Sequence, residues 1–179
     1  WTQQGSDLDG VAASGLQGLS VSLSSDGTTL AVGAPFSVQD SDKGTVRVYS
    51  YNGTAWAQKG TDLDGTETMD FQGFSVSLSS DGATLAVGAS GRDSYRGTVR
   101  VYTYNGTAWT RKGTDLDGEA GNQQGGYGDQ QGRSVSLSSD GTPLAVGADG
   151  HDGNKGTVRV YNYNGTAWTQ QGTDLDGET

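Results

Sequence analysis

The sequence predicts an all-β protein built of tandem four-stranded antiparallel sheets, and three observations carry that prediction. Trp1, Trp56, Trp109 and Trp168 each open a segment reading Trp-(Thr/Ala)-(Gln/Arg)-(Gln/Lys)-Gly-(Ser/Thr)-Asp-Leu-Asp-Gly, at separations of 55, 53 and 59 residues. A fixed period of that size marks a repeat architecture, in which each unit buries its apolar face on a neighbour. Within every unit large and small residues alternate with the period of two that strands require, and no window shows the 3.6-residue period of a helix. Asp-Gly and Asn-Gly dipeptides punctuate these runs, and both tolerate the positive φ of tight hairpins. The repeats fall at 1–55, 56–108 and 109–167, with the start of a fourth at 168–179.

The elements of the first unit follow in order. Residues 19–24 (Leu-Ser-Val-Ser-Leu-Ser) alternate apolar and polar and predict a first strand. Asp26-Gly27 turns the chain into a second strand at 29–34, where large and very small side chains alternate. An irregular loop leads to 45–51, rich in β-branched and aromatic residues, the third strand. Asn52-Gly53 then turns into a fourth strand at 56–63. Strand direction alternates, so the fixed turns gather at one end of the sheet. The variable connections gather at the other: 35–43, 90–96 and 149–155 in one series, 10–18, 65–73 and 118–132 in the second. Partner specificity is expected at that variable end. Val21, Leu23, Leu30, Val32, Val46 and Val48 are expected to supply a bulky face, with Ser20, Ser22, Ala31 and Gly33 opposite on a shallow one. A bulky face fits a shallow one, so the units are expected to stack head to tail, through a heterologous interface that closes into a ring or runs on as an open array.

Composition narrows the function classes. Only 31% of residues are hydrophobic, but the periodic strands and in-register glycines rule against disorder. A net charge of −10 argues against nucleic acid as partner and against docking on an anionic membrane. No apolar run reaches transmembrane length, so no membrane insertion is expected, and no stretch of these residues reads as a signal peptide, the sequence starting inside a repeat. Cysteine is absent, which removes disulfides and thiolate metal sites.

Residues 71–90, Phe71-Gln-Gly-Phe-Ser-Val-Ser-Leu-Ser-Ser-Asp-Gly-Ala-Thr-Leu-Ala-Val-Gly-Ala-Ser90, resemble the FG-GAP repeat of integrin α-subunit β-propellers. Ala31-Val-Gly-Ala-Pro35 supplies the Gly-Ala-Pro element, which becomes Gly-Ala-Ser at 88–90 and Gly-Ala-Asp at 147–149. The resemblance implies propeller-like blades of four strands. The family's calcium loop, Asp-x-Asp/Asn-x-Asp-Gly, is reduced here to Ser-Ser-Asp-Gly at 24–27, 79–82 and 138–141, so that metal site does not carry over. Three blades do not close a propeller of the usual four to eight. The chain therefore reads as an excerpt of a longer repetitive polypeptide, or as one link of an assembly whose neighbours complete each other's sheets.

Candidate sites are few. Asn52, Asn105 and Asn164 each begin Asn-Gly-Thr, the N-glycosylation pattern, although Asn-Gly is also the preferred hairpin turn. Asp7 and Asp9, Asp62 and Asp64, Asp115 and Asp117, Asp174 and Asp176 offer paired carboxylates to calcium. A full calcium loop needs more oxygen ligands, so turn chemistry is the plainer account and no cofactor is expected. Trp1, Trp56, Trp109 and Trp168, with Tyr49, Tyr51 and their counterparts, are candidate sugar-stacking platforms or inter-sheet packing. Arg47, Arg100 and Arg159 recur in the third strand, and stacking or a rim ion pair explains them.

His151 is the only histidine, which leaves no Ser–His triad or histidine-rich metal site. Paired acids for glycoside hydrolysis need a break in symmetry, and the only one is 121–132, glycine- and glutamine-rich with no evident chemistry. The sequence thus predicts a non-enzymatic, extracellular or cell-surface structural or adhesive repeat protein, self-assembling and N-glycosylated. Its partners would be further copies of itself and covalent glycans. The alternative is a carbohydrate-binding propeller lectin with one site per repeat.

Overall fold

The structure, a computed structural model, describes residues 1–11, 13–36, 41–121 and 128–178. Three antiparallel meanders follow one another along the chain. The first sheet comprises β1 (Ser20–Leu23), β2 (Thr29–Ala34), β3 (Thr45–Tyr51), β4 (Trp56–Gln58) and β5 (Leu63–Asp64). The second comprises β6 (Gln72–Leu78), β7 (Thr84–Ala89), β8 (Thr98–Tyr104), β9 (Trp109–Arg111) and β10 (Leu116–Asp117). The third comprises β11 (Ser134–Leu137), β12 (Pro143–Ala148), β13 (Thr157–Tyr163), β14 (Trp168–Gln170) and β15 (Leu175–Asp176). Arg92–Tyr95 and His151–Asn154 form single turns containing left-handed residues, so among the described residues no true helix interrupts the β architecture.

The fourth strand, expected as one run over 56–63, is broken in two. Both β4 and β5 pair with β3, and the chain kinks between them at Gly60, whose φ is +85°. A side chain there would stand 2.9 Å from Cδ1 of Trp109, so glycine serves both the kink and the close approach of the next blade. The kink also turns Asp62 onto Arg47. Each tryptophan segment after the first closes the sheet that precedes it, so sheet and sequence period are offset.

Register decides the two faces of each sheet. Ala31 sits opposite Val48 and Gly33 opposite Val46, whereas Leu30 faces Tyr49 and Val32 faces Arg47. Cross-strand partners share a face. Val46 and Val48 therefore belong with Ala31 and Gly33 on the thin face, a correction to the expected division; Tyr49 and Arg47 complete the bulky one. The sheets then pack flat, thin face to bulky face. Ala31, Val46, Val48 and Leu63 of the first sheet meet Val76, Leu78, Leu85, Val87, Tyr102 and Trp109 of the second. Ala86, Val99, Val101 and Leu116 of the second meet Leu137, Leu144, Val146, Tyr161 and Trp168 of the third. Each fully buried leucine or valine stabilises the stack by about 1.5–3 kcal/mol. The first and third sheets are not joined, so the arc of blades is open.

Candidate functional site

Two seams hold the blades together, and glycine and serine make them close. Ser20 Oγ donates to the Gly73 carbonyl at 2.7 Å, and Ser75 Oγ to that of Gly132 at 2.8 Å. A Cβ on Gly33 would lie 2.1 Å from Gly73 O, and one on Gly88 2.0 Å from Gly132 O, so only glycine admits the neighbouring backbone. At the outer edge Trp109 Nε1 donates to Lys59 O at 2.9 Å and Trp168 Nε1 to Lys112 O at 2.7 Å. The Lys59 and Lys112 ammonium groups lie over Tyr104 and Tyr163, and burial lowers both lysine pKa values. Trp109 and Trp168 are buried against these partners, so their rings are not open platforms for sugar. Trp56 is partly exposed and bonds Gln4 O, and Trp1 is fully exposed.

The recurring arginines lie at the variable-loop end of the bulky face. Arg100 is fully buried and reaches Asp70 Oδ2 at 3.1 Å, Asp115 at 3.2 Å, Gln72 Oε1 at 2.5 Å and Thr66 Oγ1 at 3.1 Å. Arg159 repeats the pattern with Asp129 at 2.7 Å, Asp174 at 2.8 Å, Gln131 at 2.8 Å and Glu119 at 3.1 Å. Arg47 meets Asp62 at 2.7 Å and Gln17 at 3.0 Å. These are buried networks in the second and third blades rather than rim ion pairs. Asp70 takes its donors on Oδ2, from Arg100 and the Thr66 and Glu67 amides, while its Oδ1 is buried without a partner, so the charge of Arg100 is what sustains that carboxylate.

The third blade adds what sequence reasoning missed. Asp129 falls in the 121–132 segment judged empty of chemistry; residues 122–127 of that segment lie outside the described residues. Its Oδ1 is 2.8 Å from His151 Nδ1 and its Oδ2 receives Arg159. Burial pushes the Asp129 carboxyl up, but hydrogen bonds from the Glu119 amide, Arg159 and His151 outweigh it and hold the pKa below the usual range. The Asp129 hydrogen bond raises His151, with burial opposing. Ligand atoms of Glu119, Asp129 and His151 lie within 4.8 Å of one another, as do those of His151, Asp174 and Asp176. Arg159 already occupies Glu119, Asp129 and Asp174, so the arrangement is a cation-centred cluster. No sequence signal announced it beyond the lone histidine, because Asp129 and His151 are 22 residues apart.

The remaining candidates separate by role. Asp62, Asp115 and Asp174, first members of the proposed calcium pairs, serve the arginines instead. Asp64, Asp117 and Asp176 are exposed strand residues, and Asp7 and Asp9 are exposed in the leading segment, where Asp7 accepts from Gln3. Among the described residues, only the Asp174 and Asp176 pair is brought together with a further ligand, His151. Asn52, Asn105 and Asn164 occupy identical exposed turns, each Oδ1 accepting two backbone N–H groups of the following residues.

Three successive blades of four antiparallel strands packed thin face on bulky face define a β-propeller type of protein, and solved structures bear this out. The chain is similar to hydrazine synthase of Kuenenia stuttgartiensis (TM-score 0.55, 17% identity, covering 88% of this chain and 36% of that one). It is similar also to the β-propeller domain of the trilobed protease of Pyrococcus furiosus (TM-score 0.51, 12% identity, 89% and 42% covered). A candidate 6-phosphogluconolactonase of Bacteroides uniformis gives a TM-score of 0.55 at 11% identity, with 86% and 39% covered. The chain thus spans well under half the length of these structures, and identities this low show the fold alone. No family model matches the sequence, and a comparison with curated proteins found no match. The expectation of a non-enzymatic chain is corrected here: hydrazine synthase and the candidate 6-phosphogluconolactonase carry enzyme names on the same architecture, so the fold gives no ground for setting catalysis aside. Among the described residues no helix is long and apolar enough to cross a membrane.

Proposed function

We propose that this chain is a propeller-type module of an extracellular architectural or adhesive protein, assembling head to tail through its two unlike end faces. One observation carries the reading. Val21 and Leu23 on the first blade are 60% and 57% exposed, whereas their counterparts Val76 and Leu78 are 8% and 7% exposed beneath the preceding blade. At the opposite end Leu175 is 63% exposed, whereas Leu63 and Leu116 are each 8% exposed. The bulky end thus has the shape that the thin end receives, and both sit unfilled. Apolar areas of this kind on a small domain mark interaction surfaces. A second copy is the fitting occupant, since the same chain twice shows how its own blades meet.

Two copies placed head to tail make six blades, within the range in which propellers close. The likeness to propeller structures supports a ring over a filament, because each blade already follows its predecessor along a propeller arc. The FG-GAP-like sequence, the three exposed Asn-Gly-Thr turns and the acidic surface support an extracellular setting with sugars turned outward. Sedimentation across a wide concentration range tests the reading. The wild type is expected to form a discrete closed particle of two chains, and Leu23→Asp a folded single chain. A wild type that stays monomeric at hundreds of micromolar would refute it.

A further inference from the structure

Three nearly identical blades allow each side chain to be compared with its own counterparts, and one position stands out. The segment 10–17 aligns without gaps on 65–72, which places Gly15 where Asp70 stands and Val11 where Thr66 stands. In the third blade Asp129 occupies the same place, two residues before Gln131. Asp70 and Asp129 each give Oδ2 to Nη1 of the blade's arginine, and Thr66 or Glu119 meets Nη2. The first blade has neither. Arg47 keeps Gln17 on Nη1 and Asp62 on Nε and Nη2, and among the described residues no second carboxylate reaches it.

The vacated place is a cavity of about 330 Å³, lined by Gly15, Gln17, Lys43, Thr45, Arg47 and Asp62 among others. Thr45 Oγ1 is buried there without a hydrogen-bond partner, as is Thr157 Oγ1 at the same place in the third blade, whereas Thr98 Oγ1 in the second donates to Leu116 O; the hydroxyl beside Arg47 is thus a donor left available to a ligand. The Arg47 side chain is only 12% exposed, so its charge is held away from bulk water. Asp64 also borders the cavity, but it is a solvent-exposed strand residue, and Asp62 is already engaged by Arg47 and by Gln58. What is missing is one carboxylate, which in the other blades takes the arginine Nη1 and the backbone N–H of Thr66 or Glu119.

We propose that the cavity beside Arg47 binds a small carboxylate-bearing ligand, whose carboxylate takes the position that Asp70 and Asp129 fill in the following blades. Arg47 Nη1 supplies a charge-assisted hydrogen bond, Thr45 Oγ1 a second donor, and Lys43 further positive potential. The volume admits a short organic acid or one acidic sugar ring and no more. This goes beyond the assembly reading and does not depend on it.

The test is calorimetric titration of the full chain with sodium malonate and, separately, sodium galacturonate, with galactose as neutral control at matched ionic strength. Each titration is run on the wild type and on the Leu23→Asp chain, so that a partner blade capping the cavity cannot mask binding. Saturable binding of at least one acid to either form is expected, and which acid binds distinguishes a short acid from an acidic sugar. Gly15→Asp installs the missing carboxylate from within and is expected to abolish binding while raising the melting temperature. Arg47→Gln, with its fold checked by circular dichroism, is expected to weaken binding at least ten-fold. Absence of saturation by both acids in both forms overturns the proposal. So does binding that galactose matches, or that survives Gly15→Asp within two-fold.

Discussion

Truncating one leucine in two places measures what the exposed end of the stack is worth. Leu78 and Leu23 hold the same position in successive blades, at 7% and 57% exposure. Leu78 packs on the thin face of the first blade, and the Leu78 amide donates to Ser22 Oγ there at 2.9 Å. That backdrop of strand backbone and small side chains collapses poorly into a void, so Leu78→Ala is expected to cost about 3 kcal/mol, within the usual range for buried leucine. In a chain of this size that lowers the melting temperature by roughly 6–12 °C. Leu23 has a little under half of its surface covered, and Leu23→Ala in dilute, monomeric protein should cost about 1 kcal/mol or less. Once copies assemble, Leu23 becomes as buried as Leu78 and the two costs converge. Thermal melts over a hundred-fold range of protein concentration, with sedimentation at each point, read both values. A Leu23→Ala loss that equals the Leu78→Ala loss in single chains, or that stays constant while wild-type particles form, defeats the argument.

Other outcomes follow from the same geometry. Gly88→Ala drives a methyl into the Gly132 carbonyl and should prevent the second and third blades from packing, seen as loss of the cooperative melt. Gly147→Ala meets only the Ser134 side chain and backbone of its own blade, so it should leave the single chain folded but abolish the assembled particle in sedimentation. Asp70→Ala strips Arg100, fully buried, of its innermost carboxylate and should cost about 3–5 kcal/mol by urea unfolding, with Asp70→Leu/Arg100→Met recovering most of it. The raised His151 pKa stabilises the fold fully below about 6.5 and that contribution disappears as pH rises through the folded value, so wild-type stability should fall from pH 5 to 8 while His151→Gln stays flatter. Intact-mass analysis of secreted material should find glycan on Asn52, Asn105 and Asn164; three bare asparagines would remove the glycoprotein reading.

Much of the fold was legible because hairpin meanders are local. Strands 29–34 and 45–51 appear at the bounds the alternation predicts, since Asp-Gly and Asn-Gly set hairpin register within a few residues. The fourth strand was misread as continuous because the Gly60 kink answers to Trp109, some fifty residues later. Val46 and Val48 were placed on the wrong face for a similar reason: composition shows alternation, but only pairing with Gly33 and Ala31 shows which set is which. The recurrent arginines were visible, whereas their burial was not, because Asp70 and Asp129 arrive from connections that differ in length between blades.

The amino-acid sequence by itself determined the repeat, the strand order, the tight turns and the lopsided sheet, all of which depend on neighbours within a hairpin. Tertiary structure alone decided which face of each sheet meets the next, and it alone revealed the His151–Asp129–Arg159 cluster and the open place beside Arg47. Those features arise where loops from different strands converge. Close approach there is set by stacked backbones, and pattern along the chain carries no record of it.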